Sequence, residues 1–406
     1  MDDNYTSLPA WLAFSFAYDT AAGHCQQLLR KGTQPATLGK LITKYRPSGS
    51  HSDDEALITT FHGILSQNQI RRLRDAALKP KIEQALDWQN MDPRHHLLGL
   101  DHPSYPAILR TIENAPPLLY AKGDLAAFDY PALAIVGSRK ASRQAIDLTY
   151  RLSNQLAARG IAIVSGLARG IDAAAHEGAL AAGGRTIAVA ATEPDSVYPK
   201  GHANLAARII EQGGLVVTEY SLGSATQRWH FPKRNRIISG LSMGVLVAEA
   251  SLPSGTLTTA THALEQGREV MAVPGLVSNP QARGCHNLIK NGAALIESEQ
   301  DILEALSAPM LNGLVSGTIP LQPVQQDLAL SAADSEPQDV GASESFTRAQ
   351  SPFERQILEA LQGSPATLDE LMTLTEYSVS ELSSGLGMLE IEGRIMACAG
   401  GRYTRC

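Results

Sequence analysis

Between Leu133 and Ser307 seven short apolar runs, LAIVG, IAIVSG, RTIAVAAT, LVVTEY, GVLVAEA, EVMAVPG and AALIES, are separated by amphipathic stretches such as RQAIDLTYRLSNQLAARG. Near-continuous runs of Val, Ile and Leu belong to strands buried on both faces, and a helix between successive strands is the crossover that parallel pairing needs. The alternation specifies a doubly wound, mostly parallel α/β sheet of seven strands. Gly160, Gly183 with Gly184, Gly213 with Gly214, and Gly267 each fall just before a strand, where a left-handed residue ends the preceding helix. Hydrophobic residues make up 44% of the chain but aromatic residues only 5%, the Ala, Val, Leu and Ile core that suits helices packed on such a sheet.

With 406 residues the chain has room for two or three domains of about 100–200 residues each. Residues 1–95 show helical periodicity, as in Trp11, Leu12, Phe14 and Phe16 and again in Cys25, Leu28 and Leu29, and read as a small helical domain. The Pro- and Gly-rich stretch 97–125 reads as an extended lead-in to the α/β domain, which spans 96–307. Residues 308–350 fill with Ser, Ala, Pro, Gln and Asp and are expected to be a flexible linker. The stretch 351–406 runs helix, helix, helix and a hairpin turning at Gly400-Gly401, the order of a winged-helix-like domain.

No apolar run reaches the roughly 20 residues that cross a bilayer, and MDDNYTSLPAW lacks a signal peptide's basic and apolar regions. A cytoplasmic location without membrane contact is expected. Cys25, Cys285, Cys398 and Cys406 form no CxxC pair and have no His at ligand spacing, which speaks for reduced thiols and no metal. The net charge of −7 means that any nucleic-acid site must be a local basic patch.

Ligands of open α/β sheets sit beyond the carboxyl ends of the strands, and here those ends are Gly-rich and basic. The first strand leaves through Gly137, Ser138, Arg139 and Lys140, where a glycine admits a phosphate to the backbone and an arginine grips it bidentately. The second leaves through SGLARGID, with Gly166, Arg169 and Gly170; this misses the dinucleotide fingerprint spacing. Asp172 suits an N-cap with His176 on the same helix face, and for both a structural role outweighs acid/base catalysis. Tyr198 and Lys200 follow the third strand. After the fourth come Glu219 and QRWHFPKRNRIISG, in which Arg228, Lys233, Arg234, Asn235 and Arg236 are interleaved with Trp229, His230 and Phe231. Cations among aromatics suit a strand whose backbone needs charge and whose bases need stacking partners, while the bland alternative is a solvated basic face. Ser254, Gly255 and Thr256 open a helix with small residues able to hold an anion. Glu219 and Glu249 at strand ends read as acceptors that hold Arg234 or Arg236, with catalytic carboxylates as the alternative. No P-loop or G-x-S-x-G elbow is present.

The blocks LDHPSYPAIL with PPLLYAKGDL, AIVGSRKAS, VSGLARGIDAAAHEGAL, TIAVAATEPDSVYPK, FPKRNRIISGLS, VAEASLPSGTLTTATHALEQGREVMAVPG and GCHNLIKNGA, in this order, resemble those of the DprA/Smf family. The resemblance implies an extended Rossmann-like domain that binds single-stranded DNA as a homodimer. It also implies protection of incoming DNA in natural transformation and loading of the RecA recombinase by displacing single-strand-binding protein. No catalytic turnover and no cofactor are implied. The implied phosphate grip falls on Gly137, Ser138 and Arg139, with Lys200, Lys233, Arg234, Asn235 and Arg236 as further contacts and Arg169 as a weaker one.

The chain departs from the family pattern in three places. The N-terminal domain, SAM-like or helix-hairpin-helix-like in such proteins, lacks the Gly-x-Gly hairpin in FSFAYDTAAGHCQQLLRKG and is expected to serve packing or a partner. A usual Gly-Ser-Leu start reads Ser254-Gly255-Thr256-Leu257 and keeps a small turn. The third helix of the winged-helix-like domain carries Glu376, Glu381, Glu390 and Glu392 and no cation before Arg394, so a protein-contact or regulatory role is expected there. Two other functional classes stay open: an enzyme cleaving a nucleotide N-glycosidic bond with Glu249, and a nucleotide-sensing module.

Overall fold

The structure is a computed structural model and describes residues 8–17 and 77–315 and, further on, 356–358, 360–361, 366–375, 377, 382, 386, 389, 395–398 and 402–405. Two compact units, Met1–Gln326 and Asp327–Cys406, divide the chain. Among the described residues no helix is long and apolar enough to cross a membrane.

The first unit is built on a nine-stranded sheet in the order β1-β2-β6-β5-β4-β3-β7-β8-β9. Its parallel part holds the seven expected strands: β3 (Ala132–Val136), β4 (Ala162–Ser165), β5 (Thr186–Val189), β6 (Leu215–Thr218), β7 (Gly244–Val247), β8 (Glu269–Ala272) and β9 (Ala294–Leu295). The chain winds from β3 outward to β6, returns to β7 beside β3, and winds the other way. That reversal opens a crevice at the carboxyl ends of β3 and β7.

The count of seven needs correction. The stretch read as a lead-in supplies two more strands, β1 (His95–Gly99) and β2 (Leu118–Gly123), antiparallel to each other and to β6. Each is short and bounded by turns, so Pro and Gly punctuation masked it.

The helices follow the apolar periodicity. Leu133 and Ile135 pack with α4 (Arg143–Ala158), α5 (Ile171–Ala181) and α10 (Glu299–Val315) on one face, while Ala134 and Val136 belong to the core of the other. Gly160, Gly183, Gly213 and Gly267 all have positive φ, as the helix-stop reading requires. The helix α10 runs through Val315, past Ser307 and into the stretch expected to be linker; residues 316–350 lie outside the described residues.

The described N-terminal helices, α1 (Leu8–Ala17) and α2 (Leu78–Met91), share one core with β1 and β2. Trp11 donates from Nε1 to Asp101 Oδ1 at 2.5 Å, and its ring occupies the space where a side chain at Gly99 would sit. Trp88 stacks on His95 with centroids 4.2 Å apart and donates to Asp195 Oδ1 at 3.1 Å. These helices serve packing of the sheet edge. Cys25, Leu28 and the Lys-Gly stop lie outside the described residues.

In the second unit β10 (Ala366–Thr367), β12 (Arg402–Arg405) and β11 (Ile395–Cys398) form an antiparallel sheet in the order β10-β12-β11, with α11 (Leu368–Thr375) following β10. Ile357, Leu371, Leu382, Leu386, Leu389 and Ile395 form its core. Cys398 pairs with Arg402 across the hairpin, and the Gly400-Gly401 turn itself lies outside the described residues, as do Glu376, Glu381, Glu390 and Glu392.

Candidate functional site

The crevice is a cleft of about 730 Å3 at the carboxyl ends of the central strands. One wall is the turn leaving β3, with Gly137, Ser138, Arg139 and Lys140. A second is the start of α7 (His230–Gly240), with Arg228 just before it and Phe231, Arg234 and Asn235 on it. The third is Ser251 to Thr256 ahead of α8 (Leu257–Glu265). Tyr198, Asp172 and Gln281 also line it.

The turn after β3 is held from below. Ser138 N–H donates to the Glu249 carbonyl at 2.7 Å, and Lys140 N–H donates to Ser138 Oγ at 3.1 Å. Glu249, only 4% exposed, accepts from Ser142 N at 3.0 Å and Ser142 Oγ at 2.7 Å, fixing the N-cap of α4. Glu249 therefore anchors the turn, which corrects the expectation from sequence that it holds Arg234 or Arg236. A Cβ at Gly137 would lie 2.5 Å from Ile171 Cγ1, so this glycine is required by packing as much as by any ligand. What the turn presents is side chains: Arg139 and Lys140 are exposed, and the Arg139 guanidinium lies over the Phe231 ring at 5.5 Å. Phe231 in turn meets Tyr198 edge to face at 5.2 Å.

The loop after β4 is locked. Asp172 is buried and accepts from Gly166 N at 3.1 Å and Ala168 N at 3.3 Å, while Gly170, at φ 77°, takes the N-cap position. Asp172 thus lies inside the helix start and braces the loop, rather than capping the helix. A side chain at Gly170 would lie 2.3 Å from the Ser138 carbonyl, so the two loops interlock there. Leu167 takes the left-handed φ of 58°, and its carbonyl meets His202 Nδ1 at 2.8 Å. Arg169 is exposed but does not line the cleft.

Arg234 is buried beneath this loop. It donates to the Gly166 carbonyl at 2.8 Å and to the Val189 carbonyl, and burial lowers its guanidinium to about 10 despite nearby Asp172. Burial raises the Asp172 carboxyl. His176 is fully buried against Thr186 Oγ1 at 2.7 Å, and burial lowers its imidazole to about 3, which makes it a neutral core group, as the structural reading of the sequence held.

The basic block on α7 is divided by its helix. Arg236 turns away from the cleft into a buried pair with Glu219 at 2.6 Å, as expected of Glu219. Lys233 lies over the Trp229 and Tyr220 rings at 5.4 and 5.7 Å and 3.9 Å from Glu219. Asn235 joins α7 to α8, donating to Thr258 Oγ1 at 2.7 Å. Lys200 is exposed on a 3-10 turn outside the lining.

The start of α8 differs from the anion seat expected of it. Leu257, Thr258 and Thr259 donate their N–H groups to the carbonyls of Ser254, Gly255 and Thr256 at 3.2, 3.3 and 3.0 Å, so these amides are already engaged. Thr256 Oγ1 ties the segment to the Gly137 carbonyl at 3.0 Å. Nothing lies within 4 Å of a Cβ built at Gly255, which leaves that position open.

The structure thus gathers Gly137, Ser138, Arg139, Lys140, Phe231, Arg234, Asn235, Ser254, Gly255 and Thr256 around one cleft. It leaves Gly166, Arg169, Gly170, Lys200, Lys233 and Arg236 off the lining. Sequence reasoning passed over Gln281, whose Oε1 is 3.4 Å from Ser138 Oγ; it sits on a short 3-10 turn (Pro280–Ala282) after β8 that only topology brings near.

The family model described as DNA recombination-mediator protein A matches residues 96–307, the whole sheet-bearing stretch from β1 to the middle of α10. The chain belongs to this family. A second model, the DprA winged helix domain, matches residues 342–401. Protein Smf of Escherichia coli (strain K12) is 46% identical over 228 residues, covering 56% of this chain and 61% of that protein's length. Protein Smf of Synechocystis sp. is 37% identical over 338 residues, covering 79% of this chain and 82% of that protein. The X-ray structure of DNA processing protein A from Streptococcus pneumoniae superposes with a TM-score of 0.57 at 36% identity, covering 70% of this chain and 93% of that one. Both the α/β architecture and the membership read from the ordered blocks hold.

Proposed function

We propose that the chain binds single-stranded DNA in the cleft at the ends of β3 and β7 and acts as a recombination mediator rather than an enzyme. The observation that carries this reading is exposed Arg139 lying over Phe231, with Tyr198 against the same ring. A bidentate cation beside two aromatic rings meets both needs of a single strand, charge for phosphate and a flat surface for an unpaired base. Exposed Lys140 and Arg228 extend the charge along the lining. Glu249, the carboxylate on which N-glycosidic cleavage would rest, has both oxygens occupied by Ser142 and lies outside the cleft lining. Membership in a recombination-mediator family supports the rest of the reading: a cytoplasmic homodimer that protects incoming DNA in natural transformation and loads RecA against single-strand-binding protein. Because the contacts go mostly to phosphates, binding is insensitive to base sequence.

Fluorescence anisotropy with labelled single-stranded and duplex oligonucleotides at two salt concentrations tests the reading. Tight single-strand binding is expected, with a log–log salt slope of about −0.7 per neutralised phosphate, and Arg139→Ala weakens all sequences alike. Saturable mononucleotide binding with no affinity for either polymer would replace this reading with that of a nucleotide sensor.

A further inference from the structure

Trp11 and Trp88 are 1% and 2% exposed and engage Asp101 and Asp195, whereas Trp229 is 45% exposed. It immediately precedes α7, between Arg228 and Phe231, both of which line the cleft, yet it lies outside the lining itself. Its orientation is fixed from several sides. The buried rings of Tyr220 and His230 stack on each other at 3.8 Å, and the indole stands nearly perpendicular to His230 at 4.3 Å and to Tyr220 at 6.5 Å. Lys233, one helical turn on, places its ammonium 5.4 Å from the indole centroid while Glu219 approaches that ammonium at 3.9 Å. A large aromatic ring that is both well supported and half exposed is placed for contact with something outside the fold.

We propose that Trp229 is a base-stacking platform that carries the single strand beyond the cleft, an inference that rests on the cleft being a single-stranded DNA site. The occupant is an unpaired nucleobase because the ring is flanked by cations. Arg228 is exposed beside it and Lys233 lies over it, and cation-bordered aromatic surfaces are what a charged backbone with splayed bases requires. Trp229 and Phe231 are two residues apart at a helix start, a spacing at which side chains do not face each other, so they take separate bases rather than sandwich one. Phe231 with Arg139 serves the base inside the cleft, and Trp229 serves one outside it.

The experiment uses the full chain and oligo(dT) of short and long lengths, with anisotropy and intrinsic tryptophan emission read in the same titration. Long oligo(dT) is expected to quench the parent's emission, because Trp229 is the exposed indole. Trp229→Phe keeps affinity within a few-fold and loses the quench. Trp229→Ala loses on the order of tenfold in affinity for long oligo(dT), the effect of one stacked base, and binds short oligo(dT) as the parent does. Binding by anisotropy without quenching, quenching that survives Trp229→Phe, or parental affinity of Trp229→Ala for long oligo(dT) overturns this inference alone. No anisotropy change in the parent overturns the DNA reading and this inference with it.

Discussion

Arg139 and Arg234 both line the cleft, and their surroundings put them to opposite uses. Arg139 leaves β3 on a turn and is exposed, its guanidinium over the Phe231 ring. Arg234 sits one turn into α7, 4% exposed, with donors given to the Gly166 and Val189 carbonyls. A guanidinium taken out of water must recover its hydration from fixed acceptors, and the acceptors here are loop carbonyls that need holding. The buried arginine therefore shapes the loop on which a ligand would rest, and the exposed one is left to meet the ligand. The same division runs through the rest of the basic block: Arg236 is buried on Glu219, and Lys233 lies over two rings. A run of cations in a sequence counts as a charged patch only after the helix has assigned each to a side.

Replacing each arginine in turn is the strongest way to break this contrast. Arg234→Met leaves the Gly166 and Val189 carbonyls and the buried Asp172 carboxyl without their cation. The expected loss in folding stability is about 3–5 kcal/mol, read by urea denaturation. Arg139→Met is expected to stay within about 0.5 kcal/mol of the parent, as substitutions of exposed side chains do. Equal losses in the two variants would dissolve the distinction.

The same contrast marks where sequence reading works. The parallel strands and their helix stops were legible because burial on both faces writes continuous apolar runs, and because a left-handed stop admits little but glycine. Gly160, Gly183, Gly213 and Gly267 show it directly. The antiparallel strands β1 and β2 were not legible, since short antiparallel segments between prolines look like loop. At the site, the convergence of the β3 turn and the α7 block followed from topology alone. The fate of single side chains did not. Whether Arg234 points in or out, whether Glu249 holds an arginine or Ser142, and whether the first amides of α8 are free all depend on contacts between segments distant in the chain.

His176 carries the comparison below the cleft, to a titratable group that burial keeps neutral. Its imidazole is lowered by burial to about 3 in the folded chain, against the ordinary 6.5 of a solvated imidazole. The stability this contributes is complete above 6.5 and is lost as pH falls from there towards 3, at up to about 1.4 kcal/mol per pH unit. Asp172 acts in the opposite sense, because burial raises its carboxyl, so a variant is needed to assign the slope. Urea midpoints of His176→Gln and the parent between pH 7 and pH 4 should converge as the pH falls, the parent losing its advantage. Parallel curves would show that His176 does not set the acid limit.

The finest test concerns what Arg139 offers beyond its charge. Lysine keeps the positive charge but lacks the planar fork that pairs with two phosphate oxygens and lies flat on an aromatic ring. If the 5.5 Å approach to Phe231 holds the guanidinium ready for a strand, Arg139→Lys loses the stacking share, about 0.5–1 kcal/mol at an exposed site. That is a several-fold weaker affinity for oligo(dT) with folding stability and salt slope unchanged, since the number of phosphates neutralised is the same. Phe231→Leu in the lysine background should then cost less than in the parent, because the ring no longer orders the cation. Additive losses from the two substitutions would mean that Arg139 and Phe231 bind independently, and that the exposed side of the cleft is a plain charged surface rather than a built one.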